Sequence, residues 1–483
     1  MLPPEFESIA TRLASLYRTF LLADKSAAAV PELLTAEERV VAFVHALGLA
    51  LLRVFVQVRV LQAKASMLPC SCGSTPTVHR TTTWTRQTPF GPLTVRDPYV
   101  YCRTCHDSER PLHALLGTDR ETWSLVVQEA AVDLATDESC GKAVGKLARH
   151  HPGVEMDRTA ALRLLHAHGR RAREFIDRKL REARKLAELP WGLRDQGAEE
   201  LEAQWDAGMI PVATLESIEP PEGEEPELTP VRGLPKRRKA WRWEEAKLGL
   251  VQKPGEVGRL YSLRPTDDLD ESFDDLLALA CMKGWTEQTR VRGIADGALH
   301  IRPRMEELFD VGDFRFILDR PHCKEHLTKA GEALAAEGLV ESEGVQPWAA
   351  AALSKLEVGN AGEVVAELRN AWEASGLDPE SRNDKLRTEA GYFERNADAV
   401  GYAEYRAAGW STASSEVESG HGHIVQARLK IAGAWWHPDH VDDILALRML
   451  KANRWWDEYW QDQRRAWRRR AATFADARTD RAA

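Results

Sequence analysis

The sequence predicts an α+β protein of several domains. Three observations carry that expectation. The chain has 483 residues, and at roughly 100–200 residues per domain this is two to four domains. Helical and strand-like periodicities alternate along it in blocks. Two close cysteine pairs bracket one strand-like block, which sets a small metal-held module apart from its helical neighbours.

Apolar residues make up 43% of the chain and charged residues 29%, a balance that builds cores and excludes a disordered polymer. The formal net charge is −9, so nucleic-acid contact, if any, has to come from local basic patches. The most apolar stretch is Val40–Leu61, interrupted by His45, Arg53, Gln57 and Arg59. Its longest uncharged piece is shorter than a bilayer needs, so no membrane span is expected. The N-terminus lacks a basic then apolar leader, and the protein is expected to stay in the cytoplasm.

Residues 1–64 read as a helical region whose apolar residues fill more than one face, which suits a core or a dimer interface. Residues 65–113 change period. Thr77–Thr85 and Leu93–Tyr101 read as a β-hairpin around Pro89-Phe90-Gly91-Pro92. Cys70-Ser-Cys72 and Cys102-Arg-Thr-Cys105 flank it, with 29 residues between the pairs. Four thiolates on two tight turns suit one structural Zn²⁺, and the module is expected to be a zinc ribbon. His79, His106 and His113 are spare ligands; Cys140, Cys281 and Cys323 are expected as ordinary core thiols.

Residues 120–190 are predicted helical: Thr122–Ala135, Glu138–His150, then a turn at His151-Pro152-Gly153 and a helix capped by Asp157. The last two have the lengths of a helix-turn-helix unit. The stretch 158–185 holds ten Arg/Lys against three Asp/Glu, so Arg158, Arg163, Arg170 and Arg171 are candidate phosphate contacts. The bland alternative is a solvated helix face.

Residues 195–326 are mixed. Met209–Thr214, Leu248–Val251, Val291–Ala295 and Phe314–Leu318 read as strands. The stretch 216–227 has six Glu and no basic residue, as an exposed loop would, and the basic run Lys236–Lys239 follows it. Residues 327–407 read as a helical insertion, 408–462 as final helices, and 463–483 as a basic tail in which Arg464 and Arg465 are further candidate phosphate contacts. The Trp-rich stretch 435–467 reads as core packing.

Three carboxylates stand at informative places: Asp206 before an apolar run, Asp296 at the end of Val291–Ala295, and Glu418 on a helix starting near Ser414. Carboxylates from strand ends and a facing helix can hold two divalent cations, and oxygen ligands suit Mg²⁺ or Mn²⁺. Spacing alone does not single them out among 74 acidic residues.

Their surroundings do. Gly293-Ile-Ala-Asp-Gly-Ala-Leu299 and Phe316-Ile-Leu-Asp-Arg-Pro-His-Cys-Lys-Glu-His-Leu327 resemble insertion-sequence DDE transposases of the ISKra type, distant relatives of Mutator-like transposases. Ser414-Ser-Glu-Val-Glu418, Gln426-Ala-Arg-Leu-Lys430, Gly433-Ala-Trp-Trp436, Ile444-Leu-Ala-Leu-Arg448 and Trp456-Asp-Glu-Tyr-Trp460 continue the resemblance in order. It implies an RNase H-like core in which Asp206, on the first strand, Asp296, after the fourth, and Glu418, on the following helix, hold two catalytic Mg²⁺ or Mn²⁺. Asp319-Arg-Pro-His322 matches a signature of the wider group that places His322 near the site. The implied activity is metal-dependent cleavage of DNA at element ends and strand transfer into target DNA. The implied partners are double-stranded DNA and a second copy of the chain, as a homodimer or higher oligomer, in a nucleoid-associated prokaryotic protein.

The chain departs from the family pattern at Ala413 and Ser415, where glycines are usual, and at Glu416, where an apolar residue is usual. Glu416 and Glu418 point about 200° apart on a helix, so one of them at most faces the metals; register favours Glu418. The alternative is a domesticated or regulatory DNA-binding protein without recombination activity, and a third reading is a zinc-ribbon assembly factor. Metal-dependent nicking separates the first from the others.

Overall fold

The computed structural model describes residues 33–65, 70, 72–116, 121–188, 197–218, 228–229, 236–265, 268–375 and 384–480, with Thr11 and Ser15. Most of the expected acidic loop and of residues 1–32 lies outside them. Among the described residues the chain is α+β with two sheets, and it divides into two compact units, Met1–Leu165 with Asp457–Ala483, and His166–Trp456.

The first unit opens with α1, Leu33–Ala65. Leu51, Val54, Phe55, Val58 and Leu61 on it are exposed, while Val56 and Ala63 enter a core with Leu93, Val95 and Leu112. Within α1, Ala36–Ala63 is long and apolar enough to cross a membrane by length and composition. The helix runs unbroken through Arg53 and Arg59 and so reaches a length that the longest uncharged piece of the sequence does not.

The hairpin forms as the alternation requires. β1, Thr77–Thr88, pairs antiparallel with β2, Gly91–Tyr101. Gly91 takes φ +108° at the turn, where a side chain would be strained. A short β3, Ser108–Glu109, adds to β2, and α2, Pro111–Leu116, follows. Asp97 on β2 is fully buried; Arg110 Nη1 donates to its Oδ2 at 2.7 Å, and His113 Nε2 lies 3.3 Å from the same oxygen.

Next come α3, Leu125–Asp137, capped by Ser124, and α4, Cys140–His150, capped by Ser139. Both begin slightly later than predicted, because the serine hydroxyls accept the first free backbone N–H groups. Asp157 accepts from Ala160 N at 2.7 Å as α5, Arg158–Arg184, begins. Val127, Ala131, Leu147, Val154, Met156 and Ala161 form the core of these helices. Cys140 is only half-buried, since it opens α4, whereas Cys281 and Cys323 are buried as expected.

The second unit is built on a five-stranded sheet. Its strands are β4, Glu200–Ser217, β5, Arg237–Gln252, β6, Leu260–Arg264, β7, Arg290–Ala295, and β8, Asp313–Leu318. Their order is β6-β5-β4-β7-β8. β4, β5 and β6 pair antiparallel; β7 and β8 run parallel to β4. Helices α6, Leu269–Met282, and α7, Ile301–Leu308, connect the later strands. β4 and β5 are far longer than predicted, and the basic run begins β5, with Arg237 opposite Ser217.

After β8 come α8, Arg320–Ala336, α9, Val345–Glu357, α10, Ala361–Ser375, α11, Lys385–Arg395, and α12, Tyr402–Ala407. Then α13, Ser415–Gly420, runs through a π-helical turn, His421–Gln426, into α14, Ala427–Leu429. Helix α15, Pro438–Ala452, and α16, Trp456–Asp480, close the chain. Trp455, Trp460 and Trp436 are buried, which is core packing as expected for that Trp-rich stretch.

Candidate metal centres

Two constellations expected from sequence lie in separate units. In the first unit, Cys70, Cys72, Cys102 and Cys105 bring their sulfurs within 4.8 Å of one another. Cys70 Sγ lies 3.1 Å from Cys105 Sγ, and Cys72 Sγ 3.6 Å from Cys102 Sγ. A disulfide needs about 2.05 Å, whereas ligands around one tetrahedral thiolate-bound ion stand about 3.8 Å apart. Each pair sits on a tight turn: Gly73 N donates to Cys70 O, and His106 N to Cys102 O. Gly73 and His106, each directly after the second cysteine of its pair, both take positive φ. Ser74 Oγ donates to Thr104 Oγ1 at 2.9 Å and ties the turns together. The cluster can hold a metal ion. None of His79, His106 and His113 is in it.

In the second unit, the acidic site stands at the ends of β7 and β8, beside the part of β4 just past its pairing with β7. The last register pair of β4 and β7 is Gln204 with Ile294. Asp206 and Asp296 each follow two residues later, so both point to the same face of the sheet. Ala207 N donates to Asp206 Oδ1 at 2.8 Å, and Ala298 N to Asp296 Oδ1 at 3.0 Å. Burial pushes the Asp206 carboxyl up to about 6, and the neighbouring Asp296 and Asp319 charges add to this against His322.

Glu418 reaches the site from α13. Gln204 Oε1 accepts from Val417 N at 2.9 Å, and Asp319 Oδ1 from Ser414 N at 2.5 Å. The start of α13 is thereby fixed to the strand carrying Asp206 and to the end of β8. Ser414 Oγ donates to Glu418 Oε1 at 3.4 Å. Glu416 is turned elsewhere: its Oε2 lies 2.6 Å from Arg259 Nη1.

His322 stands among these acids. Its Nδ1 lies 2.7 Å from Asp319 Oδ2, and its backbone N donates to the same oxygen at 2.9 Å. The Asp319 bond, with Asp296 and Asp206 nearby, raises the imidazole to about 9 against the effect of burial. Burial alone would raise Asp319, but the His322 bonds and Ser414 N hold it below the ordinary value. Donor atoms of Asp319, His322 and Glu418 lie within 4.8 Å of one another; Asp206, Asp296 and Glu418 are not drawn so close. The sequence reading missed Asp319 as a site residue, although Asp-x-Pro-His is an N-cap pattern and Asp319 caps α8. It missed His421 too. That buried ring lies with Nε2 3.3 Å from Asp206 O, and a side chain at Gly208 would strike it.

The candidate phosphate contacts divide. Arg158, Arg163, Arg170 and Arg171 are exposed on α5. Arg170 Nη1 lies 3.5 Å from Asp443. Arg464 pairs with Glu129 and Arg465 with Asp462, so the tail arginines are engaged within their own unit. Comparison with family models, with curated proteins and with solved structures finds no match for this chain.

Proposed function

We propose that the chain is a DDE-type DNA transposase. The observation that carries the reading is the register that sets Asp206 beside Asp296, with the Glu418 helix fastened to Gln204 of the same strand. Supporting it, a mixed sheet with three antiparallel strands followed by two parallel ones suits the RNase H-like core that the sequence resemblance implies, and Asp206 stands on the first strand and Asp296 after the fourth.

The donor set fits hard divalent cations. The three carboxylates come from two strands and a helix, and burial together with the charges of Asp296 and Asp319 already raises Asp206. Asp206, Asp296 and Glu418 would hold Mg²⁺ or Mn²⁺, which supply charge for phosphodiester cleavage and a lowered pKa for the attacking water. Asp319 orients His322 through Nδ1 and leaves Nε2 for a scissile-strand phosphate. Gln204 and Asp319 position Glu418. Arg158, Arg163 and Arg171 supply phosphate contacts, and the thiolate cluster holds a structural Zn²⁺ that stabilises a ribbon too small to do so by burial. The exposed apolar stripe of α1 suits a second copy of the chain.

The test is incubation with element-end DNA and Mn²⁺. Site-specific nicking, followed by joining to target DNA, supports the proposal. DNA binding without nicking by intact protein favours the regulatory reading.

A further inference from the structure

We infer that His166, His440 and Asp443 form a further transition-metal site, distinct from the thiolate cluster and the acidic site. All three lie in the second unit. Their donor atoms fall within 4.8 Å of one another. His166 Nδ1 is 3.0 Å from Asp443 Oδ2, and His440 Nδ1 is 3.6 Å from the same oxygen. Around an ion with bonds of about 2.0 Å, tetrahedral ligand atoms stand about 3.3 Å apart, and the two His–Asp separations bracket that value.

A plain His–Asp hydrogen bond would explain His166 but not His440. The two imidazoles stack with centroids 4.0 Å apart, and His440 Nδ1 is buried without a hydrogen-bond partner. A bound ion gives that nitrogen its partner. Backbone packing supports the convergence: a Cβ on Gly169 would stand 2.5 Å from Asp443 Cβ. Glycine there, one turn after His166, lets α15 approach α5 closely enough for the carboxylate to reach the ring.

Two imidazoles and one carboxylate select Zn²⁺, Co²⁺ or Ni²⁺ over Mg²⁺. The remaining position faces the exposed Arg170, 3.5 Å from Asp443 Oδ2, which would be displaced to admit water. The ion clips α5 to α15. This site is independent of the transposase reading, because neither helix contributes an acidic-site residue.

The experiment uses full-length protein loaded with Zn²⁺, stripped of loose ion on a chelating resin, and counted by elemental analysis. Wild type should hold one more equivalent per chain than His440→Gln. His440 is 44% exposed, so this variant should fold, and circular dichroism checks that it does. Co²⁺ should give weak d–d bands without sulfur charge transfer at this site. His440→Gln should lose those bands and keep the thiolate bands. Asp443→Asn should match it, unless removal of the carboxylate unfolds the chain, in which case His440→Gln decides. An unchanged zinc count and cobalt spectrum in folded His440→Gln overturns the site.

Discussion

Gln204 accepts a hydrogen bond from the backbone N–H of Val417 at 2.9 Å while its own amide donates to Glu202 Oε1 at 2.7 Å. A fully buried side chain thus couples the strand bearing Asp206 to the helix bearing Glu418. Gln204→Leu should strand the Val417 N–H and cost about 1–3 kcal/mol of stability. If α13 is held by this bond, strand cleavage should fall more than DNA binding. Thermal unfolding and a cleavage assay check both; equal loss of binding and cleavage would mean general destabilisation.

Asp296→Asn should keep the shape of the site and remove a charge needed to hold cations. Cleavage is expected to drop by at least about a hundredfold, with DNA binding nearly unchanged. Glu418→Gln should behave alike. Glu416→Gln should lose only its exposed pair with Arg259, worth about 0–1 kcal/mol, and keep cleavage. A dead Glu416→Gln beside an active Glu418→Gln would reverse the assignment.

Asp97 gives the first unit a pH dependence. Burial would raise its carboxyl, but His113 and Arg110 hold it below the ordinary value. A depressed folded value stabilises the fold above the unfolded value, about 3.9, and that stability is lost as pH falls through the folded value. Asp97→Asn should lower Tm at pH 7, by the equivalent of about 1–3 kcal/mol. The gap from wild type should narrow below about pH 4. A gap constant from neutral pH down to about pH 3 would refute the ionic origin.

DNA affinity should fall steeply with salt, because binding releases counterions from each phosphate contacted. Substituting Arg158 and Arg163 together by Gln should reduce the slope of log affinity against log salt by about two. A slope untouched by this change would mark the α5 face as merely solvated.

Helix α1 exposes Leu51, Phe55 and Val58 on one stripe. Leu51→Glu with Val58→Glu should convert a dimer into a monomer in analytical ultracentrifugation. A wild-type chain already monomeric at micromolar concentration would remove the role assigned to this face.

The sequence made the hairpin legible because its exposed positions alternate and its turn residues are explicit. The thiolate cluster was legible from pair spacing. Strands β7 and β8 read cleanly as short apolar runs. By contrast, β4 was recognised only at Met209–Thr214. Its first half carries Glu202 and Gln204, polar residues buried because they bond across the sheet and to α13. Strand β6 is five residues long, too short to show a period. The start of β5 was hidden by its arginines, which belong to a two-stranded extension of the sheet and not to a core. In the acidic site, Asp206, Asp296, Glu418 and His322 were found through neighbouring words, whereas His421 had no pattern to betray it, since a π-helical turn breaks the usual spacing. His166 and Asp443 are 277 positions apart, a separation no local reading bridges.

The paired ends of β4 and β5 set a distance scale. Ser217 lies eleven residues beyond Asp206 on one strand, a reach of up to about 36 Å at roughly 3.3 Å per residue. Trp241 and Trp243, opposite Ala213 and Pro211, are 56% and 61% exposed along that arm. One turn of duplex spans about 34–36 Å. On the proposed function, a strand cut at the carboxylates would therefore be felt by two indole rings less than one helical turn away. On that proposal the arm would work as a ruler, and shortening it by paired deletions would move the place where DNA is gripped without touching the place where it is cut.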